Sequence, residues 1–215
     1  MTYPVLLIVG MAACVTVLMV KVIPVLTGFF GDRDKLPGAT KLILQTSEAF
    51  QHNWFYITVM LGISYLALSI WKKTKSGKYR WDSMVLHAPI FGPLLRKVIL
   101  SRFARVFSNL IGSGVSVIEA IRIVASAVGN EVYHQRLLLL RNDVKNGMKM
   151  AESLEDDILF PDLLVSMLRV GEETAQIGET IIKIADFYDE EVDIAIGSIQ
   201  KMIEPIILAV MAVVI

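Results

Sequence analysis

The side chains best placed to do chemistry in this sequence are carboxylates. Asp189, Glu190, Glu191 and Asp193 fall within five consecutive positions, and Glu172 and Glu173 form a pair upstream. Four clustered carboxylates could hold a hard cation such as Ca²⁺, which takes oxygen ligands converging from a flexible loop. The apolar residues around them, however, keep a helical period, so the four point round a helix instead of converging. A solvated or partner-facing acidic face is the better reading. His52, His87 and His134 fall on different elements, Cys14 is the single cysteine, and neither HExxH nor CxxC occurs, so no zinc site is expected. Gly112-Ser113-Gly114 lacks the preceding strand and third glycine of a dinucleotide fingerprint and reads as a turn. Phosphate loops and nucleophile elbows are missing from the sequence as well. No catalytic residue, cofactor or metal ligand is expected.

The acidic cluster belongs to a larger asymmetry. The chain of 215 residues carries 21 basic and 21 acidic side chains, which argues against nucleic acid as a partner. Residues 72–149 hold 14 basic against 4 acidic side chains, and residues 150–204 hold 3 against 14. Arg102 and Arg105 on the basic side, with Glu172, Glu173, Asp189, Glu190, Glu191 and Asp193 on the acidic side, are the candidate partner surface. Two readings stay open. The two faces meet different partners, or the halves of one bundle neutralise each other.

The elements that carry these residues are helices, some of them suited to lipid. The chain is 54% hydrophobic and 20% charged, more apolar than an ordinary soluble domain. About 20 residues cross a hydrocarbon core, and the run from Pro4 to Ile23 fits this, with Lys21 near its end able to snorkel and Cys14 an ordinary residue within it. Trp54 to Trp71 is a second uncharged run, framed by tryptophans. Lys72, Lys73, Lys75, Lys78 and Arg80 follow it directly, which places 72 onward in the cytoplasm and the 31–53 loop outside. A third apolar run, 205–215, reads as the start of another membrane helix, cut short.

Between them, 72–204 reads as an antiparallel bundle of about six helices. Leu95, Ile99, Phe103, Val106, Phe107 and Leu110 recur at helical spacing, and Gly112 to Gly114 ends that helix. Ser116 with Glu119 reads as a capping box. Further helices stop near Gly129-Asn130 and Asn146-Gly147; a short turn covers 151–156; Pro161 sits in the first turn of the next helix, which runs up to Gly171. The longest helix begins beyond Gly178 and continues through Glu204-Pro205. The fold class is therefore an all-α membrane protein.

One ordered set of residues carries a resemblance. Arg102-Phe103-Ala104-Arg105, Leu110-Ile111-Gly112-Ser113-Gly114-Val115, Glu119-Ala120, Asn130, Gly147, Phe160-Pro161, Met167, GEET at 171–174, DFYDEEVD at 186–193 and Glu204-Pro205 occur in the order and spacing of one family. Tyr3-Pro4, Ile23-Pro24, Phe30, Leu36-Pro37 and Thr40 agree with it in the first third. The sequence resembles the inner-membrane platform proteins of type IV pilus assembly and type II secretion, the PilC/GspF family, with GEET and DFYDEEVD closer to the pilus branch.

The resemblance implies a multi-pass inner-membrane scaffold, not an enzyme, and a chain corresponding to the C-terminal half of the family's length. It implies coupling of cytoplasmic hexameric ATPases to insertion or removal of pilin or pseudopilin, alongside other inner-membrane assembly proteins, in a homo-oligomer within the bilayer. Gly112, Gly114, Gly147, Gly171 and Pro161 are expected to turn or cap helices; Glu172 and Glu173 stand between helix-end solvation and partner contact. The family usually has glycine where this chain has Ala175. Alanine resists the left-handed region by about 1 kcal/mol, so the turn is expected at Gly171 or Gly178. The alternatives are a type II secretion platform or, from another class, a membrane transporter subunit. Against the transporter, Asp, Glu, Arg and His are absent from the expected membrane helices.

Overall fold

The computed structural model describes residues 62–89 and 91–214, together with Gly10, Val17, Tyr56, Val59 and Met60. The first expected membrane helix, Gly10 and Val17 apart, and the 31–53 loop lie outside the described residues. Every regular element among the described residues is helical, and the chain divides into two compact units. Trp71–Ile199 is one; 1–70 with 200–215 is the other.

The larger unit is built from seven helices, the last of which continues beyond it. They are α1 Lys75–Leu86, α2 Phe91–Gly112, α3 Val117–Ala127, α4 Glu131–Lys145, α5 Met150–Ser153, α6 Asp162–Glu173 and α7 Ile177–Val214. Sequence periodicity did not anticipate α1. Its first residues are basic and show no apolar stripe, but the Thr74 hydroxyl accepts from the Gly77 amide at 3.1 Å and starts a helix there. Asn130 opens α4 in the same way, its side-chain oxygen accepting from Val132 and Tyr133. Gly114, Gly129 and Gly147 take positive φ at three of the joins.

α3 packs on α2 and α4, α1 packs on α2 and α4, and α5 bridges α4 to α6. The buried faces meet in one apolar core. Phe103 stacks on Phe107 with centroids 5.6 Å apart, and the Phe160 ring stands edge-on to Phe103 and to Tyr133. Ile121, Leu137, Leu140, Leu164, Leu168 and Ile181 close round them, all fully buried. Each such side chain contributes about 1.5–3 kcal/mol through removal from water. Burial pushes the Tyr133 phenol well above its ordinary value, and its hydroxyl donates to the Leu159 carbonyl at 3.0 Å.

Local expectations fail at several points. Ser116 stands at the N-terminus of α3 without a side-chain cap bond. Glu119 does not reach back to it; its carboxylate accepts from Arg122 one turn on, at 2.9 Å, an ion pair that outcompetes an amide within the same helix. Pro161 is the N-cap of α6 and not a first-turn residue, because its extended ψ of 149° lies outside the helix. The short turn of helix expected around 151–156 is present as α5, but it starts one residue earlier and ends at Ser153.

The turn between α6 and α7 is at Ala175, with φ 55°, and at neither Gly171 nor Gly178, which lie inside α6 and α7. Gly171 serves a different need: a Cβ there would sit 2.9 Å from the Ile177 Cα. The close crossing of α6 and α7 requires that glycine, and closing the turn in so few residues forces the left-handed conformation onto Ala175.

In the smaller unit, the described backbone over 62–70 is helical. Ile63, Tyr65, Leu66, Leu68 and Ile70 are all exposed on it, as are Tyr56 and Met60 before it. Among the described residues no single helix is long and apolar enough to cross a membrane. α2 with the preceding Ser76–Leu86 segment would suffice together, bent by 111°, but Ile99, Phe103 and Phe107 of α2 are buried in the protein core.

Candidate interaction surface

The basic and acidic halves of the sequence meet most extensively along a seam between α2 and α7. On α2, Lys97, Ser101, Arg105 and Ser108 recur at spacings of four, four and three, so they share a helix face. That face meets α7 running the other way. Lys97 Nζ lies 2.5 Å from Glu191 Oε2, the Ser101 hydroxyl donates to Asp189, and Arg105 donates to Asp189. Arg105 also pairs with Asp186 at 2.9 Å, and the Ser108 hydroxyl donates to the Gly178 carbonyl at 3.0 Å. The Ser101 hydroxyl and then the Arg105 guanidinium hold the Asp189 carboxyl below its ordinary range, while Asp189 and Asp186 raise Arg105. Burial, with the nearby Glu191 charge, raises the Tyr188 phenol beside the seam. The ions stay partly wet, with 37% of the Arg105 side chain and 48% of the Asp189 side chain exposed.

Two further carboxylates hold helix ends. Glu172 accepts from the Met150 amide at 2.6 Å and the Ala151 amide at 3.1 Å, so it caps α5 from α6. Asp82 of α1 accepts from the Glu131 amide at 2.7 Å at the start of α4. A clasp of Arg136 with Asp157 and the Ser153 carbonyl, with Ser153 donating to Asp143 at 2.6 Å, ties α4 to the segment after α5.

The candidate residues therefore separate. Arg105, Asp189 and Glu191 engage the α2–α7 seam, and Glu172 engages the α5 amides. Arg102, Glu173, Glu190 and Asp193 reach the surface or its margin and make no ion pair among the described residues. Arg102 is not near the acidic three; its guanidinium lies against the Gly129 turn. Of the motif residues, Gly112 closes α2, Gly114 and Gly147 turn the chain, Asn130 caps α4, and Phe160 sits in the aromatic core. Glu119 holds Arg122, Pro161 precedes α6, Gly171 permits the crossing, and Glu204 and Pro205 lie within the unbroken α7.

Sequence reasoning named Asp186 only as part of DFYDEEVD and did not single out Asp82, Lys97, Ser101, Ser108, Arg136 or Asp157. The four-residue repeat of polar positions on α2 was the available signal for the seam. Nothing local marks Asp82 or Arg136, whose partners lie 49 and 21 residues away. His87 and His134 each bond a backbone carbonyl at 2.7 Å, those of Ser83 and Ala125. Among the described residues no group of three His, Cys, Asp or Glu converges as metal ligands would. Where the end of α2 faces the α6–α7 turn, an open groove of about 720 Å³ lies between Ser108, Asn109, Gln176 and Glu179.

Comparison with known proteins finds relatives along almost the whole chain. The chain is 35% identical over 97% of its length to the type IV pilus assembly protein PilC of Myxococcus xanthus, covering 50% of that protein. It is 32% identical over 99% of its length to PilC of Pseudomonas aeruginosa, covering 58% of it. It is 27% identical over 99% of its length to the type II secretion system protein F of Vibrio cholerae, covering 52% of it. The chain thus spans about half the length of the curated relatives it matches. Residues 103–215, which include Phe103 of the aromatic core and the α7 side of the seam, match the family described as type II secretion system (T2SS), protein F, and the chain belongs to that family.

Proposed function

We propose that this chain is a non-enzymatic inner-membrane platform of type IV pilus biogenesis, coupling cytoplasmic assembly ATPases to insertion or removal of pilin. The observation that carries the reading is the match along almost the whole chain to proteins named for pilus assembly, at higher identity than to the secretion proteins. The exposed apolar helical residues over 62–71 support a membrane span: an apolar surface this continuous is costly in water and ordinary in lipid. The helical body beginning at 72 is then cytoplasmic, since the basic residues that open it favour that side. Spans at 4–23 and 54–71, a 31–53 loop outside, and a third span entered by α7 complete the expected topology.

The surface that would meet an ATPase is Arg102 together with Glu173, Glu190 and Asp193, since these exposed charges make no ion pair among the described residues. Arg105, Asp189 and Glu191 act on the partner indirectly, by fixing α7 against α2. A platform works by transmitting position, and a helix that leaves the bundle core and continues through Glu204-Pro205 suits that work.

Deleting the complete gene tests the reading, with electron microscopy of surface pili and an assay for secreted exoproteins. Loss of pili with normal secretion is the expected result. Loss of secretion with pili intact assigns the chain to the secretion branch, which the relatives named for type II secretion support. Survival of both, with no paralogue covering the loss, refutes the platform reading.

A further inference from the structure

Lys72 and Lys73 just before α1, with Arg80 on it, form a basic stretch that no carboxylate neutralises among the described residues. Lys73 and Arg80 are exposed and make no ion pair among the described residues, and Lys72 sits over the Trp81 ring at 3.4 Å. Of the two nearby carboxylates, Asp82 caps α4, and Glu131 pairs with Lys78 at 3.5 Å and accepts from the Gln135 amide at 3.3 Å. Beside Arg80 an open groove of about 280 Å³ is lined by Ser76, Tyr79, Arg80 and Gln135. These four bring hydroxyl, phenol and guanidinium donors, and the second N–H of the Gln135 amide, to one place, the set that a phosphate monoanion or diester accepts from.

We propose that this face binds the phosphate headgroups of anionic bilayer phospholipids. Ser76, Tyr79, Arg80 and Gln135 take one headgroup, and Lys72 and Lys73 lie against the same negative surface. The proposal rests on the membrane reading above. Chain continuity supports the lipid over a soluble anion. Ser76 is five residues beyond Trp71, so it stays within about 18 Å of the end of the expected span even if fully extended. Trp71, Tyr79 and Trp81 are the amphipathic aromatics that settle at headgroup depth. Basic clusters beside a span are drawn to anionic lipid, and the attraction acts over about one Debye length.

The test uses the full chain reconstituted in phosphatidylcholine vesicles, with Trp54 and Trp71 replaced by Phe so that Trp81 alone emits. Flotation first checks that the chain enters the vesicles. Brominated phosphatidylglycerol and brominated phosphatidylcholine are then compared as quenchers. The expected result is stronger quenching by the anionic lipid, with the preference falling about fivefold in Lys73→Gln and again in Arg80→Gln, and largely kept in Arg80→Lys. Circular dichroism should be unchanged in these exposed variants. Equal quenching by the two lipids overturns the proposal while the membrane reading stands. Absence of quenching in vesicles that hold the chain does the same. A preference erased by inorganic phosphate at constant ionic strength also overturns it, by showing a site for soluble anions. Failure to float refutes the membrane reading itself.

Discussion

α2 has two faces, and they are held by different physics. One turns Ile99, Phe103 and Phe107 into the core, where each is essentially inaccessible to water. The other turns Lys97, Ser101, Arg105 and Ser108 onto α7 through ion pairs and hydroxyls that remain partly wet. The apolar face gains energy in proportion to area and has no charge for pH to titrate or for ions to screen. The charged face gains little net energy, because water and ions compete for the same groups. It does specify which turn of α7 meets which turn of α2. The core makes the bundle stable and the seam sets its register.

The largest effect should come from the core. Phe103→Ala removes a ring that stacks on Phe107 and meets the edge of Phe160, and should cost about 3–5 kcal/mol. Urea unfolding of the detergent-solubilised chain measures it. A loss no larger than that of a seam variant would break the distinction between the two faces.

Glu172→Ala should come next. It leaves the Met150 and Ala151 amides without their carboxylate and should cost about 1–2 kcal/mol in the same unfolding assay. If Glu172 served a partner and not the fold, stability would be unchanged and only pilus assembly would suffer.

The α6–α7 turn offers a pair of opposite sign. Ala175→Gly relieves a left-handed alanine and should stabilise by about 1 kcal/mol. Gly171→Ala forces a Cβ against the Ile177 backbone and should destabilise by about 1–3 kcal/mol. Thermal melts of the two variants beside the parent show whether the signs differ. Equal effects would mean that the turn is not strained at Ala175.

The smallest effect belongs to the seam. Asp189 has a folded-state pKa held below its unfolded value, so its stabilisation is present above the unfolded value and lost as pH falls through the folded one. Asp189→Asn should cost under about 1 kcal/mol at neutral pH, given the exposure of the pair. The parent should lose that advantage over the variant below about pH 4, near the unfolded carboxyl value. Melting temperatures across pH provide the check, and a gap that persists in acid would show that packing and not charge holds Asp189. High salt should narrow the gap at neutral pH and leave the Phe103→Ala loss untouched.

Much of the helical frame was legible in the sequence, because a helix announces its buried face every three or four residues. The stripe from Leu95 to Leu110 and the stops near Gly114, Gly129 and Gly147 all follow from periodicity and from turn chemistry. α1 was hidden because its basic surface carries no apolar stripe. The Thr74 cap that starts it is a single hydroxyl. The capping box was read from spacing alone, and Glu119 had a stronger local partner in Arg122.

Of the candidate surface, sequence showed which charges exist and how they segregate: 14 basic against 4 acidic over 72–149, and 14 acidic against 3 basic over 150–204. It could not say which of them neutralise each other. Arg105 meets Asp189 across 84 residues, and Glu172 reaches Met150 across 22. Arg102, three residues from Arg105, lies elsewhere. The physical reason is one of range. Composition, helical period and turn residues act over a few positions, so the helices and their apolar faces are determined locally. Ion pairing, capping from a distant helix and the strain at Ala175 depend on where one helix lands on another. Only the packed core of the tertiary structure decides that.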